Sequence, residues 1–105
     1  MPEYKFNAQK VATAGIDSKL DPKLQLAIWG LLESKLADES VETDYFQIFK
    51  LKYLGNGNVE VVHFQEEPEW RNRVVVPGTA MPTTDRTVYV VDDIEVVTML
   101  FACEY

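Results

Sequence analysis

The side chains best suited to nucleophilic catalysis in this sequence are one histidine and one cysteine, His63 and Cys103. A cysteine nucleophile needs a base within reach and positively charged surroundings. The two residues fall on different predicted strands, and the charge next to Cys103 is the acid Glu104. We therefore predict no catalytic residues. We expect His63 to be a half-buried, hydrogen-bonded histidine and Cys103 to be a small core residue.

Three acids close together, Asp92, Asp93 and Glu95, offer hard oxygen ligands of the kind that calcium and magnesium prefer. They lack the spacing and the central glycine of a calcium loop, so the pattern favours a hydrogen-bonded Asx-type turn. One histidine and one cysteine are too few for a transition-metal cluster. We expect no metal site and no cofactor.

The most unusual chemistry lies around Pro68, which interrupts a predicted strand. Two acids stand before this proline, and a tryptophan and an arginine follow it. Tryptophan and arginine dominate the hot spots of protein interfaces, although Trp70 is also suited to begin a strand and pack beneath a helix. The candidate binding residues are Trp70, Arg71, Glu66, Glu67 and His63.

One amphipathic helix, predicted over residues 21–36, must cover the core. Asp21 is a suitable N-cap, and Pro22 suits the first helical position. At 100° per residue, one face of this helix is apolar. Lys35 falls within that face and is expected to extend its ammonium outward to solvent. The apolar face comprises Leu24, Ala27, Ile28, Leu31, Leu32 and Leu36.

The remaining apolar segments alternate with a period of two and are rich in β-branched residues, which is typical of strands. The dipeptide Asn56-Gly57 predicts a hairpin turn between two of them. The fold class is therefore α+β: a mostly antiparallel, curved sheet of five to six strands with one amphipathic helix packed on one face. A surface loop is expected over 77–85. The predicted strands are 10–16, 44–54, 59–65, 70–76, 87–91 and 96–102.

The last two predicted strands are apolar on both faces: Val88 and Val90 on one face of the first, for example, and Tyr89 and Val91 on the other. A helix of about four turns cannot cover both faces of such a sheet. We expect either that the sheet curls into a partial barrel or that a homodimer buries the second face.

Length and charge restrict the class of protein. A chain of 105 residues is expected to form one domain, 1–105, and its formal net charge of −7 repels nucleic acids and anionic membranes. No basic run interleaved with aromatic residues opposes that conclusion. The apolar segments are too short to cross a bilayer, and the first residues do not resemble a signal peptide. We expect a cytoplasmic protein that binds neither nucleic acid directly nor a membrane.

Several short patterns occur in order along nearly the whole chain and resemble a small acidic family of staphylococci, related bacteria and their phages, known as domain of unknown function nine-sixty. The resemblance implies a compact α+β fold and no assigned activity. The matching residues are Thr13-x-Gly15-Ile16, Pro22-x-Leu24-Gln25-Leu26 with Trp29, Asp44-Tyr45-Phe46-Gln47-Ile48-Phe49, His63-x-Gln65-Glu66-x-Pro68-x-Trp70, and Val91-Asp92-Asp93 with Thr98-Met99-Leu100 and Glu104-Tyr105.

The function that these patterns favour is a non-enzymatic, cytoplasmic protein–protein interaction domain associated with a bacterium or its phage. The acids near Trp70 suggest a basic partner. Two alternatives stay open. One is a small-molecule-binding module or minor enzyme with a pocket between helix and sheet and His63 near its mouth. The other is an acidic decoy of a nucleic-acid-binding protein.

Overall fold

The computed structural model describes residues 4–79 and 85–105. Two helices and six strands, followed by one short 3-10 turn at Ala102–Glu104, make up the described chain. The predicted surface loop 77–85 lies in part outside the described residues. The helices are α1 (Ala14–Lys19) and α2 (Pro22–Ala37), and the strands are β1 (Gln9–Ala12), β2 (Phe46–Gly55), β3 (Asn58–Gln65), β4 (Trp70–Val76), β5 (Arg86–Asp92) and β6 (Val96–Phe101).

All six strands belong to one sheet in the order β1-β6-β5-β2-β3-β4. Every neighbouring pair is antiparallel except β1 and β6, which are parallel. The β2–β3 connection is the predicted hairpin: Asn56 and Gly57 both have positive φ, 54° and 76°. An added Cβ at Gly57 would lie 3.1 Å from the carbonyl oxygen of Thr79, so this position also needs glycine for a close approach. The predicted α+β fold is confirmed.

The helix α2 packs on one face of the sheet and covers the core, as its pattern predicts. Asp21 caps it by accepting a hydrogen bond from Lys23 N at 2.9 Å, and Pro22 begins it. The sheet contributes the inward-facing residues of its central strands. The buried apolar side chains of α2 are Leu24, Ile28, Leu31 and Leu32, and the sheet residues packed with them include Phe49, Leu51, Val59, Val61, Val88, Val90, Val97 and Met99.

The first predicted strand, 10–16, is correct only in its first half. Thr13 ends that strand because its Oγ1 accepts a hydrogen bond from Ile16 N at 3.2 Å and caps the short helix α1. The last predicted strand is likewise too long, since β6 ends at Phe101. Cys103 is consequently exposed in the 3-10 turn, and its expected place in the core is wrong.

The second face of the sheet, which we call the open face, carries neither of the two helices of the described chain. The sheet does not close into a barrel, because β1 and β4 are both edges. At one end of the open face, three aromatic rings lie side by side with centroids 4.6–5.6 Å apart. Tyr105 lies over Phe46 and Tyr89 there. Tyr45 continues this row from Phe46 at 5.9 Å, and Tyr4, which packs against the core, follows Tyr45 at 5.6 Å. Over the described ranges, no helix is both long enough and apolar enough to cross a membrane.

Candidate functional site

Trp70 is the first residue of β4, and its ring contacts both a buried and an exposed side chain. The ring lies edge-on to the imidazole of His63, with centroids 4.9 Å apart, and its Nε1 donates to Asp38 Oδ2 at 3.4 Å. It is half-buried rather than freely exposed. Trp70 thus anchors the start of β4 while leaving one edge at the surface.

His63 lies entirely inside the core, with 0% of its surface exposed. Its ring stacks on Phe49 at a centroid distance of 4.2 Å, and its Nε2 lies 2.7 Å from Gln47 Oε1. Because Gln47 presents an acceptor oxygen, Nε2 carries the proton, and Nδ1 is left as a buried acceptor with no hydrogen-bond partner in the part of the chain that the structure describes. Burial, with the nearby Lys35 ammonium as a second cause, lowers the pKa of His63 to about 3. His63 is therefore enclosed and neutral, rather than half-buried as expected.

Gln65 ties three segments together beside this histidine. Its Oε1 accepts from Asp44 N at 3.0 Å and from Gln47 Nε2 at 2.8 Å. Its Nε2 donates to the carbonyl oxygens of Glu42 and Pro68, at 2.8 and 2.7 Å. All the hydrogen-bonding capacity of a buried amide is used, so Gln65 fixes the turn between β3 and β4 against the loop before β2.

Lys35 is fully buried at the end of α2, contrary to the expectation that its ammonium extends to solvent. Its Nζ donates to the carbonyl oxygen of Val41 at 2.6 Å and to Thr43 Oγ1 at 3.3 Å. It also lies 5.2 Å from the centroid of the Trp70 ring. The chain after α2 folds back over the lysine and supplies acceptors, which removes the need to reach water. Burial lowers the pKa of Lys35, and the Asp38 carboxylate opposes that shift.

Away from the aromatic end, the open face is cationic. Register places Lys50 beside Val62 and Val62 beside Arg73, and it places Phe64 beside Arg71. Lys50 Nζ and Arg71 Cζ lie 5.6 and 5.8 Å from the centroid of the Phe64 ring. On this face of β2, β3 and β4 the charged side chains are four cations and one acid, although the whole chain carries −7. The cationic patch comprises Lys50, Lys52, Arg71 and Arg73, and the acid is Glu60.

Two adjoining hollows give this patch its shape, and both include Phe64 and Arg71. The one at the β3–β4 turn has a volume of about 410 Å³ and is also lined by Glu66, Glu69 and Trp70. The one across β2 and β3 has a volume of about 510 Å³, and its lining also includes three cations, Lys50, Lys52 and Arg86, and two acids, Glu60 and Asp85. The structure therefore brings together three of the candidate binding residues, Trp70, Arg71 and Glu66. Glu67 is exposed in the same turn but outside the hollows, and His63 is buried beneath.

No basic run in the sequence indicated the cationic patch, because its members come from separate strands. Two signals together would have found it. Alternation in β2 places Lys50 and Lys52 on the face opposite Phe49 and Leu51, and the Asn-Gly hairpin then fixes their neighbours in β3.

Two of the three acids considered as metal ligands accept hydrogen bonds from the chain itself. Asp92 Oδ1 accepts from Ile94 N at 2.9 Å and its Oδ2 from Phe6 N at 3.0 Å, while Asp93 Oδ1 accepts from Val96 N at 2.7 Å. The predicted Asx-type turn is confirmed. Within 4–79 and 85–105, no group of three or more His, Cys, Asp or Glu side chains is arranged to hold a metal ion.

The fold defines the class of the protein. It is a small α+β domain whose single, mostly antiparallel sheet has one face covered by a helix and one open face. The chain belongs to the family described as staphylococcal protein of unknown function, DUF960, which matches residues 9–104. It is also similar to a solved structure described as a protein of unknown function from Enterococcus faecalis, with a TM-score of 0.82 at 23% identity over 100% of this chain and 98% of that one. That likeness bears on the fold alone. No curated protein matches the chain.

Proposed function

We propose that this chain is a non-enzymatic protein-interaction domain of the cytoplasm and that it docks its partner on the cationic patch of the open face. The observation that carries the proposal is a cluster of cations on a chain of net charge −7: Lys50 and Arg71 lie 5.6 and 5.8 Å from the half-buried Phe64 ring, and Lys52 and Arg73 lie on the same face. Helix α2 covers the opposite face of the sheet and leaves this one to a partner.

The chemistry of the patch favours an acidic protein surface as the partner. Arginine is a frequent interface anchor because its planar guanidinium pairs with carboxylates through two hydrogen bonds. An apolar centre with a charged rim is the usual anatomy of an interface, and Phe64 and Val62 supply that centre here. We favour this acidic partner over the basic one that the acids near Trp70 suggested, because cations outnumber acids on this face of β2, β3 and β4.

A nucleic acid is the less suitable ligand for two reasons. The net negative charge of the chain repels a polyanion, and only the small cationic patch attracts one. Stacking of a base also needs a free aromatic surface, whereas Lys50 and Arg71 already flank the Phe64 ring. A protein surface offers separate carboxylates, whereas a nucleic acid carries a phosphate charge on every nucleotide.

The experiment is capture from a lysate of the native host with cross-linking and mass spectrometry, followed by binding measurements with the identified partner. We expect Arg71→Glu and Lys50→Glu to lower affinity at least about tenfold, because each replaces attraction with repulsion. Lys19→Glu on α1 is the matched control with the same change in charge and should leave affinity unchanged. His63→Gln in a folded protein should also leave capture intact.

Three results would contradict the proposal. Capture that is indifferent to Arg71→Glu and Lys50→Glu would place the interface elsewhere. Binding of a single-stranded oligonucleotide that is abolished by Arg71→Glu would replace the protein partner with a nucleic acid. Turnover of a substrate that is lost with His63→Gln in a folded protein would favour the enzyme alternative.

A further inference from the structure

Strand β4 is a long exposed edge of the sheet. Among the strands within 4–79 and 85–105 it pairs with β3 alone, and none of them lies along its other side. Its five central residues, 71–75, are all exposed, including the apolar Val74 at 37% and Val75 at 41%. The backbone N–H of Arg73 donates to the side chain of its neighbour, Asn72 Oδ1, at 2.8 Å, instead of to another strand.

Proteins usually protect the edges of their sheets, and the two edges differ here. Strand β1 has only four residues, and the chain turns into α1 directly after it. Strand β4 has seven residues, contains no proline and exposes two consecutive valines. A long edge with apolar side chains is a template for pairing, and the cations on it select what pairs.

We infer that β4 accepts an extended acidic segment of the partner as a seventh strand. This inference rests on the proposed function, because the added strand would continue the cationic patch. Backbone hydrogen bonds to the edge supply affinity in such strand addition, and alternate side chains supply specificity.

The arrangement of charge defines the segment. Arg71 and Arg73 are two residues apart on the open face, so an adjacent strand would present its own alternate side chains beside them. Directly opposed side chains on neighbouring strands lie about 4.5–5.5 Å apart at Cβ, within reach of an ion pair. Arg73 pairs with Glu60 at 2.7 Å, yet 63% of its side chain is exposed and free to meet a second carboxylate. The predicted ligand therefore carries Asp or Glu at every second position of an extended run.

A second copy of this chain is the poorer occupant of the edge. Antiparallel pairing of two copies about the middle of β4 would set arginine against arginine, and like charges directly opposed across strands are unfavourable. An acidic strand removes that repulsion and neutralises both arginines.

Binding of labelled synthetic peptides to the full chain, followed by fluorescence anisotropy and amide NMR, tests the inference. The probe peptide alternates aspartate with valine, and its comparators carry lysine for aspartate or a central proline. We expect the acidic peptide to bind at least about tenfold more tightly than either comparator and to protect the outward amides of β4 from exchange. Arg71→Glu should weaken it roughly five- to tenfold, whereas the matched control Lys19→Glu should not. Arg71→Gln replaces Arg71→Glu if circular dichroism shows the latter to be unfolded.

The outcomes separate this inference from the proposed function. Equal binding of the acidic and proline-containing peptides would overturn strand addition and leave docking on the patch intact. The same holds if no peptide binds while the captured partner still depends on Arg71. Self-association through β4 amides would replace the acidic segment with a second copy. If neither Arg71→Glu nor Lys50→Glu changed the affinity for the peptide or for the captured partner, both proposals would be overturned.

Discussion

Lys35 donates a hydrogen bond of 2.6 Å from its buried ammonium to the carbonyl oxygen of Val41. This contact joins the last turn of α2 to the chain that leads into β2. It also holds the ammonium near the Trp70 ring, which begins β4. The positions of the chain that leads into β2 and of the start of β4 therefore depend on Lys35. The helical pattern alone had placed this lysine within the apolar face of α2.

Replacing Lys35 by methionine should destabilise the fold although it keeps much of the side-chain volume. The change leaves the carbonyl of Val41 and the hydroxyl of Thr43 without their donor, at a cost of about 1–3 kcal/mol in the free energy of unfolding. Urea denaturation at pH 7 measures it. Lys19→Met on the exposed side of α1 is the control and should change stability by about 0.5 kcal/mol or less. Equal effects of the two substitutions would mean that the buried contacts of Lys35 are energetically neutral.

The covered face of α2 makes a second prediction. Ile28 is fully buried and Leu31 is 8% exposed, so Ile28→Ala and Leu31→Ala should each cost about 2–5 kcal/mol through lost transfer energy and cavity formation. Glu33 points to solvent, and Glu33→Ala should change little. Urea melts of the three variants compare them directly. A sensitivity of Glu33→Ala equal to that of Leu31→Ala would contradict the observed face of the helix.

The sequence predicted those parts of the fold in which local signals and burial agree. Helix α2 had a cap, a proline at its start and an apolar face, and the β2–β3 hairpin had both alternation and an Asn-Gly turn. The errors lie where a long-range contact decides. Glu104 accepts hydrogen bonds from Phe101 N and Thr13 Oγ1, both at 2.8 Å, which joins the two chain segments whose ends were misplaced.

The candidate site was predictable only in part for a similar reason. Trp70 and Arg71 stand out by residue type, and their neighbours in sequence are their neighbours in the β3–β4 turn. The cations that complete the patch belong to β2 and β4 and meet only across the register of the sheet. The burial of Lys35 and His63 depends on acceptors from the loop before β2 and from Gln47, which no short-range pattern links to them.

Self-association is the third prediction. The open face beside the aromatic rings includes Val91, Val96 and Leu100, which are only half-buried in one chain. Burying this area in a homodimer would remove it from water, and light scattering at micromolar concentration should then give twice the 12.0 kDa mass of one chain. Leu100→Lys should return the particle to the single-chain mass. A single-chain mass for the unmodified protein would contradict the dimer.

The last prediction concerns the pH dependence of stability and follows from His63. Burial lowers its pKa from 6.5 to about 3 in the folded chain, with the charge of Lys35 as the smaller cause. Between these values the unfolded chain binds a proton at this site and the folded chain does not, so acid favours unfolding there. The stabilising effect of neutral His63 is complete above pH 6.5 and falls as the pH drops from 6.5 towards 3.

Because of this site, the free energy of unfolding should be about 2 kcal/mol lower at pH 5 than at pH 7. His63→Gln removes the titration, so its stability, although lower at pH 7 through lost packing on Phe49, should fall less between pH 7 and pH 5 than that of the unmodified chain. Urea melts of both proteins at the two pH values give the difference, and the carboxylates that also titrate cancel in it because both proteins carry them. Parallel losses in the two proteins would mean that the folded chain protonates His63 near its ordinary pKa, which requires the imidazole to reach water by an opening of the core around Trp70.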